Sequence, residues 1–394
     1  MLNKSSPPHH NSVWCGGKKV AVALSGGVDS SVACALLKKQ GFEVVGFYMK
    51  LWKDKLNKAQ QAETEARVKQ IGKALNIKIE FFDFKKEFKK YVVEHFINSY
   101  KKGITPNPCV VCNKKIKFGI LMKKAKELKC DYLATGHYAR LKPQFSIFNF
   151  QFSNSKKKDI KIFQAKCKEK DQTYFLWQLS QKQLKNILFP LGEIESKKKV
   201  KEMAKEFGLP THQTPESNDV CFLQGTNVKD FLKLQTNLTN TFITTVTKVL
   251  AGKVVDMKGN VLGVHQGLWF YTIGQRKGIE IPPKKERPNL PWFVIEKDIK
   301  KNVLIVSQNE KDLLKKELVA KEVSWLSGVE PSLPLRVFAK VRYGALLSPV
   351  IVEEKIGPKK YKIIFAKPQR AITLGQSIVF YGKNNELLGG GVIS

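Results

Sequence analysis

Apolar and polar positions follow two different periods along this chain, and the change falls just after Cys221. Before it, short apolar runs alternate with longer amphipathic stretches. Lys19 to Leu24 (KVAVAL) has the pattern of a buried strand, Ser30 to Gln40 that of a helix stopped by Gly41, and Glu43 to Trp52 (EVVGFYMKLW) that of the next strand. Together they predict a βαβ unit. A polar helix from Ala59 to Leu75, a strand from Ile77 to Phe82, a long helix reaching Tyr100, a helix from Ile116 to Leu128 and a strand from Tyr132 to Thr135 continue the alternation. This order predicts a doubly wound parallel sheet. Aromatic alternation around a Lys-rich tip between Leu141 and Cys167 reads as a hairpin off the sheet, or as a solvated insertion. Helical patterns return from Gln172 to Leu188 and from Ser196 to Phe207, the second closed by Gly208 and Pro210.

After Cys221 the period falls to two. GKVVDMKGNVLGVH, LWFYTIG, PWFVIEKD, NVLIVSQ, LRVFAKVRYG, PVIVEEK, YKIIFAK and SIVFYG are short strands between Gly, Asn, Asp and Pro turns, which predicts a small middle domain and a C-terminal β barrel. The fold class is therefore α/β followed by β. Its divisions are a disordered tail over 1–17, an α/β domain over 18–220, a central domain over 221–298 and a barrel over 299–394.

With 394 residues and 42% hydrophobic content, the chain can bury cores for two or three domains. No run approaches the roughly 20 apolar residues that span a bilayer, and the start lacks the apolar stretch of a signal peptide. These features predict a cytoplasmic protein without a membrane partner. The formal charge of +35 has two readings. It favours a polyanionic partner, first of all nucleic acid; equally, a Lys-, Asn-, Ile- and Phe-rich chain is what an A+T-rich genome writes. Seven cysteines, at 15, 34, 109, 112, 130, 167 and 221, are an odd number in a chain that needs no covalent staples, so no disulfide framework is expected. Burial accounts for Cys34 and Cys130; redox, nucleophilic or metal chemistry is open to a subset of the others.

SGGVDSS, Ser25 to Ser31, ends a strand and opens a helix, where unpaired backbone N–H groups and the helix dipole receive phosphate. Two glycines let the backbone approach the anion, and Ser25, Ser30 and Ser31 add hydroxyls. The loop has neither the Gly-Lys-Ser/Thr of a Walker A motif nor a GxGxxG pattern, so transfer of the γ-phosphate is not expected. It resembles the PP-loop of the ATP pyrophosphatase superfamily, which cleaves between the α and β phosphates. That likeness gives Asp29 a part in orienting Mg2+ or the phosphates.

Thr105 to Phe118, TPNPCVVCNKKIKF, puts two prolines before a Cys-x-x-Cys and reads as a rigid turn rather than a helix. Lys114, Lys115 and Lys117 would favour a thiolate and suit a phosphate backbone. Cys221, in the polar stretch PESNDVCFLQG, is a second reactive-thiol candidate in a segment between two differently patterned regions.

With these, and with ATGHYAR, KDQTYFL, GLWFYTIGQRKG, PWFVIEKD, PQRAITLGQSIVFY and the terminal GGGVI, nearly the whole chain resembles the tRNA-specific 2-thiouridylases that thiolate the wobble uridine. The resemblance implies that Cys112 is the nucleophile and Cys221 carries the persulfide sulfur. It implies ATP at Ala23, Leu24, Ser25, Gly26, Gly27, Val28, Asp29, Ser30, Met49 and Gly136, with Mg2+ as companion. It implies target-base contacts at Asn107, Pro108 and Cys109, and tRNA contacts at Lys170, Asp171, Gln172, Arg342 and Tyr343. The partners implied are the anticodon arm of tRNA for Lys, Glu or Gln and a sulfur-relay protein, with the enzyme a monomer. The best-known members carry aspartate where this chain has Cys109, so an acid-base role there does not transfer, since a thiol has a different reference pKa.

Adenylation would turn the poorly leaving C2 oxygen of uridine into departing AMP, and sulfur from Cys221 would replace it. Tyr138, Tyr174 and Trp177 are candidates to stack an extruded base, and Arg342, Tyr343 and Arg370 to grip the anticodon arm. Three other functions fit parts of the pattern. Cys109, Cys112 and Cys221 could hold an iron-sulfur cluster in a related thiolase, although no fourth ligand for a zinc site is apparent. The ATP chemistry could serve an amidotransferase-type synthetase acting on a small molecule, or the chain could bind RNA without catalysis.

Overall fold

The computed structural model describes residues 17–52, 58–142, 159–214, 220–223, 225–235, 251–282 and 290–394. Two compact units emerge. The first takes in Met1–Phe84, Lys117–Thr173 and Gln181–Glu216, the second Lys85–Ile116, Tyr174–Ser180 and Ser217–Ser394.

In the first unit, β1 (Lys19–Leu24), β2 (Glu43–Lys50), β3 (Lys78–Asp83) and β4 (Tyr132–Thr135) are followed by the hairpin β5 (Ala139–Lys142) and β6 (Lys161–Gln164), and then by β7 (Ile187–Leu188). The central sheet runs β3-β2-β1-β4-β7, with every neighbouring pair parallel. Both faces of β1 are covered, which is why Val20, Ala21 and Val22 form an unbroken apolar run with no exposed atom. Helix α1 (Val28–Lys39) buries Val32, Ala33 and Cys34 in the core that holds Val20 and Val22, and Gly41 takes the left-handed conformation just beyond its end. The largely polar α2 (Lys58–Ala74) contributes Val68 and Ile71 to the same core. β5 and β6 pair antiparallel, as the aromatic alternation predicts; their Lys-rich tip and the N-terminal tail lie outside the described residues.

Gln172 to Leu188 is not one helix. It contains a 3-10 turn at Thr173–Phe175, a single helical turn at Gln181–Leu184 and then β7. Tyr174, Leu176, Trp177 and Leu179 are all essentially inaccessible, and such a run cannot be buried on the single face that a surface helix offers.

The second unit contains a four-stranded sheet, ordered β10-β11-β8-β9, from β8 (Gly252–Val255), β9 (Val261–His265), β10 (Phe293–Asp298) and β11 (Val303–Ser307). Between β9 and β10, LWFYTIG forms a 3-10 turn at Leu268–Phe270 rather than a strand. A barrel follows, from β12 (Leu314–Trp325), β13 (Leu335–Lys340), β14 (Ser348–Gly357), β15 (Lys360–Arg370), β16 (Ser377–Tyr381) and β17 (Glu386–Ile393), in the order β12-β15-β14-β13-β16-β17. The long β12 closes it. Its first half pairs with β15 and its second with β17. An irregularity between Lys321 and Ser324, with Glu322 at φ 53°, turns the strand between its two partners. Closure removes the exposed edges of an open sheet and encloses Val352, Ile363, Phe365, Ile378 and Phe380. The helices joining the first-unit strands and the closed barrel give the α/β plus β fold that the two periods predict.

Candidate functional site

Strand order reverses at β1, which has β2 on one side and β4 on the other. In open α/β sheets ligands bind beyond the carboxyl ends of the strands at such a switch point, because the flanking connections diverge there and leave a crevice. The glycine-serine loop follows β1, Gly136 follows β4, and Met49 lies near the end of β2. The sequence-predicted ATP residues thus share the C-terminal edge of one sheet.

The loop is shaped by its own side chains. Ser30 Oγ donates to the Gly27 carbonyl at 3.1 Å and receives the Ser25 N–H at 3.1 Å, while the Ser25 and Ser30 hydroxyls lie 3.2 Å apart. Gly26 has φ +78°, and a Cβ there would stand 2.8 Å from Thr64 Cγ2, so both conformation and space demand glycine. Helix α1 opens on Gly27, and among the described residues no side chain caps it. Its first-turn amides suit an anion. Ser31 is a correction to the sequence reading. It is fully buried and its hydroxyl donates to the Val28 carbonyl at 2.9 Å and lies 2.7 Å from Thr211 Oγ1, so it fastens α1 instead of facing a phosphate.

Asp29 Oδ1 receives Tyr138 OH at 2.7 Å and Lys197 Nζ at 2.6 Å. A Cβ on Gly136 would stand 2.8 Å from Ser30 N and 2.9 Å from the Asp29 carbonyl carbon, so the β4 turn lies directly against the start of α1. The next residue, His137, is buried. Its Nδ1 lies 2.7 Å from Thr135 Oγ1 and its Nε2 3.5 Å from Lys117 Nζ. Burial first, and then the Lys117 ammonium, hold the imidazole well below its usual pKa, so it is neutral.

In the second unit, the Cys-x-x-Cys segment departs from expectation. Pro108–Cys112 is the first turn of a helix that continues without a break to Glu127, with a π-helical stretch over Asn113–Leu121. The prolines start the helix instead of preventing it. Pro108 occupies a position where its missing N–H costs nothing, and Asn107 caps the turn by accepting the Val110 N–H at 3.4 Å. Upstream, Gln376 Nε2 donates to the carbonyls of Thr105 and Pro106 at 3.0 and 3.1 Å, and Thr105 N donates to the Leu374 carbonyl at 3.0 Å. Gly375 is required because a Cβ would overlap Ile104. Cys112 is buried and Cys109 half-buried. Asn113 is buried and donates to the Phe175 carbonyl at 3.1 Å. Lys114 is pushed below its usual pKa by burial and by the neighbouring Lys115.

Cys221 is exposed, but its neighbour is an anchor. Phe222 is 2% exposed and packs on Phe96, Phe231 and Phe88, at ring separations of 5.1, 5.2 and 5.9 Å.

The predicted tRNA contacts differ in availability. Lys170 is half-buried. Asp171 is buried, with its oxygens accepting from Gln164 Nε2, Ala165 N and Thr173 Oγ1, and Gln172 Oε1 accepts the Tyr138 N–H at 3.1 Å. Arg342 is exposed and Tyr343 is 45% exposed, with the Tyr343 ring 4.8 Å from that of Phe175. The three stacking candidates are corrected. Tyr138, Tyr174 and Trp177 are all 2% exposed or less, and their polar atoms bond Asp29, the Ser377 carbonyl and Ser377 Oγ respectively. They present no open ring face. Among the described residues no three His, Cys, Asp or Glu side chains are grouped to hold a metal ion. No helix among the described residues is long and apolar enough to cross a membrane.

Sequence reasoning missed Lys197, Gln376 and Phe222. Lys197 opens a predicted helix, Gln376 lies in PQRAITLGQSIVFY and Phe222 follows Cys221; an aromatic beside a cysteine in a polar stretch was the one legible signal. Residues 18–225 match a family model described as the tRNA methyl transferase HUP domain, 240–308 the tRNA methyl transferase PRC-barrel domain, and 315–393 the aminomethyltransferase beta-barrel domain. The chain is 40% identical over 387 residues to the tRNA-specific 2-thiouridylase MnmA of Clostridioides difficile, covering 95% of this chain and 98% of that one. It is also 40% identical to the MnmA of Buchnera aphidicola, covering 95% of this chain and 96% of the relative. A solved 4-thiouridine synthetase in complex with RNA and ATP is 16% identical over 57% of this chain and 52% of that one, with a TM-score of 0.35.

Proposed function

This chain belongs to the tRNA-specific 2-thiouridylase family, and from that premise we propose how its residues carry out an ATP-dependent 2-thiolation of tRNA. It is a tRNA sulfurtransferase. The residues fit ATP because α1 opens on a glycine at the switch point and glycine is demanded at 26 and 136. Ala23 to Ser30, Met49 and Gly136 would hold the nucleotide, with the α1 amides toward its phosphates, and Asp29 would hold Mg2+, which would offset the charge of the phosphates. ATP supplies the AMP group that converts the uridine C2 oxygen into a leaving group, with pyrophosphate released.

Sulfur arrives as a persulfide on Cys221, delivered by a persulfide-bearing donor protein to which an exposed thiol is accessible. The Cys112 thiolate attacks Cys221 Sγ, forming a Cys112–Cys221 disulfide and expelling hydrosulfide. Hydrosulfide adds to C2 and AMP departs with the oxygen. Two equivalents of a cellular thiol then reduce the disulfide by exchange, restoring both cysteines and leaving as their own disulfide. Asn107, Pro108 and Cys109 contact the wobble uridine, a thiol replacing the family's carboxylate at 109. Lys170, Asp171, Gln172, Arg342 and Tyr343 contact the anticodon arm, Asp171 through the turn that it holds together. The enzyme acts as a cytoplasmic monomer.

The glycine-serine loop at the switch point carries this reading. Its test is incubation with ATP, a persulfide donor and unmodified tRNA for Lys, Glu or Gln, followed by nucleoside mass analysis. We expect 2-thiouridine with stoichiometric AMP; its absence overturns the reading.

A further inference from the structure

Cys109 replaces the carboxylate of the family's best-known members, and as a base contact alone its thiol takes part in no chemical step. Its place in the fold is well defined. It is the second residue of the helix that Pro108 opens, and the Asn113 N–H donates back to the Cys109 carbonyl, so residues 109 to 113 form one closed helical turn. Cys109 and Cys112, three residues apart, share a face of that turn, and in an ordinary helix their Cβ atoms would be about 5–6 Å apart. A disulfide needs about 3.5–4.5 Å. Tightening to 3-10 geometry, in which residues three apart eclipse, closes the gap. The hydrogen-bond pattern already changes directly after Cys112, where the π-helical stretch begins, so the first turn can tighten by itself.

The thiols differ in reach. Cys112 is 7% exposed, whereas Cys109 is half-buried and Cys221 exposed. All three belong to the second unit. Elsewhere, burial pushes the Cys34 thiol up to about 12 and raises that of Cys130, which keeps both protonated and inert. Exchange requires a thiolate to reach a disulfide sulfur, so a disulfide on the enclosed Cys112 is poorly open to a reductant from solution. A thiol one helical turn away is always close, and the first turn of a helix is where a thiolate is favoured.

We propose that Cys109 is the resolving cysteine of the sulfur-transfer cycle. This inference rests on the persulfide reading above. After hydrosulfide has left, Cys109 gives its proton to solvent and its thiolate attacks Cys112 Sγ of the Cys112–Cys221 disulfide. The Cys109–Cys112 bond forms, the Cys112–Cys221 bond breaks, and Cys221 departs as a thiolate. The exchange is redox-neutral, since one disulfide becomes another. The cellular thiol then meets the Cys109–Cys112 disulfide and attacks it at the more exposed Cys109 sulfur, with two thiol equivalents leaving as their own disulfide. Cys221 is thereby free to take the next sulfur before any reductant arrives.

One tryptic fragment, Gly103 to Lys114, contains both Cys109 and Cys112, and a separate one contains Cys221, so the disulfides can be told apart. The full chain is turned over with ATP, tRNA and a persulfide donor at limiting thiol, quenched in acid, alkylated and mapped by mass spectrometry, with 2-thiouridine measured in the same samples. In the wild type we expect an internal disulfide in the fragment Gly103 to Lys114, with Cys221 alkylated. In Cys109→Ser the Cys112–Cys221 cross-link should accumulate instead. Its turnover at limiting thiol should fall about tenfold or more, because attack from solution replaces an intramolecular one. Excess small thiol should recover part of that loss, which it would not do if Cys109 only supported the fold. A wild type that accumulates only Cys112–Cys221, with Cys109 alkylated, overturns the proposal. So does a Cys109→Ser variant with the thiol dependence of the wild type, and so does iron bound by these cysteines in place of any disulfide. A wild type that forms no 2-thiouridine at any thiol concentration would instead remove the persulfide reading itself.

Discussion

Replacing Gly136 by alanine adds one methyl group at the point where the β4 turn meets α1. That methyl carbon would stand 2.8 Å from Ser30 N, 2.9 Å from the Asp29 carbonyl carbon and 3.1 Å from Asp29 Cβ. Unstrained contacts between carbon atoms lie at about 3.5–4.0 Å, so the neighbours must give way by roughly half an ångström or more. Two of the three are backbone atoms, so no flexible side-chain tip can absorb the overlap. The start of α1 or the end of β4 has to move. Overpacking of this kind costs about 1–3 kcal/mol, which most domains survive. The consequence for ATP is larger, because the shifted atoms include the first-turn amides, and misplacement by about 1 Å can cost a hundredfold. Gly136→Ala should therefore fold and bind tRNA normally, while its ATP affinity, measured by titration calorimetry, falls about 10- to 100-fold. Wild-type ATP affinity in this variant would refute the view that Gly136 and the loop hold the nucleotide together.

Other perturbations separate the remaining parts. Cys112→Ser and Cys221→Ser should each abolish persulfide-dependent formation of 2-thiouridine by mass analysis while ATP binding persists, and retained thiolation in either would remove that cysteine's role. Phe222→Ala empties a site among Phe88, Phe96 and Phe231. We expect a local loss of about 3–5 kcal/mol and at least a tenfold drop, on the order of 1.4 kcal/mol, in persulfide-dependent turnover; Phe222→Leu should be milder, and equal turnover in the alanine variant would show that Cys221 needs no anchor. His137 is depressed below 6.5 by burial, so the folded state holds it neutral while the unfolded chain takes up a proton below that pH. Its contribution is complete above 6.5 and is lost as the pH falls, by up to about 1.4 kcal/mol per unit. Urea midpoints at pH 7.5 and 5.5 should differ less in His137→Gln than in the wild type, where His95 and His265, also lowered by burial, supply the rest; an unchanged difference would refute this. If the exposed Arg342 meets a phosphate, Arg342→Ala should reduce the magnitude of the salt slope of tRNA binding by about one, and an unaltered slope would exclude that contact.

The local sequence determined the elements whose signals are short-ranged. KVAVAL had the pattern of a buried strand, SGGVDSS that of a strand-to-helix turn suited to an anion, and the change to a period of two after Cys221 marked the β architecture that closes as a barrel. Where neighbours distant in sequence decide, local reading went astray. Pro108, read as a helix breaker, was instead a misread local signal, since the position after a capping Asn107 is that of a helix start. Gln172 to Leu188 looked helical, but the complete burial of Tyr174, Leu176 and Trp177 leaves no polar face for a surface helix. Tyr138, Tyr174 and Trp177 looked like stacking surfaces, but are closed off by the core and by hydrogen bonds to Asp29 and Ser377. Lys197 belongs to the same class. Its sequence gives a lysine at a helix start, and only the packing of that helix on the core shared with α1 brings its ammonium 2.6 Å from Asp29. Period and turn chemistry act over a few residues and can be read from the chain, whereas a pairing across 168 residues is set by tertiary packing.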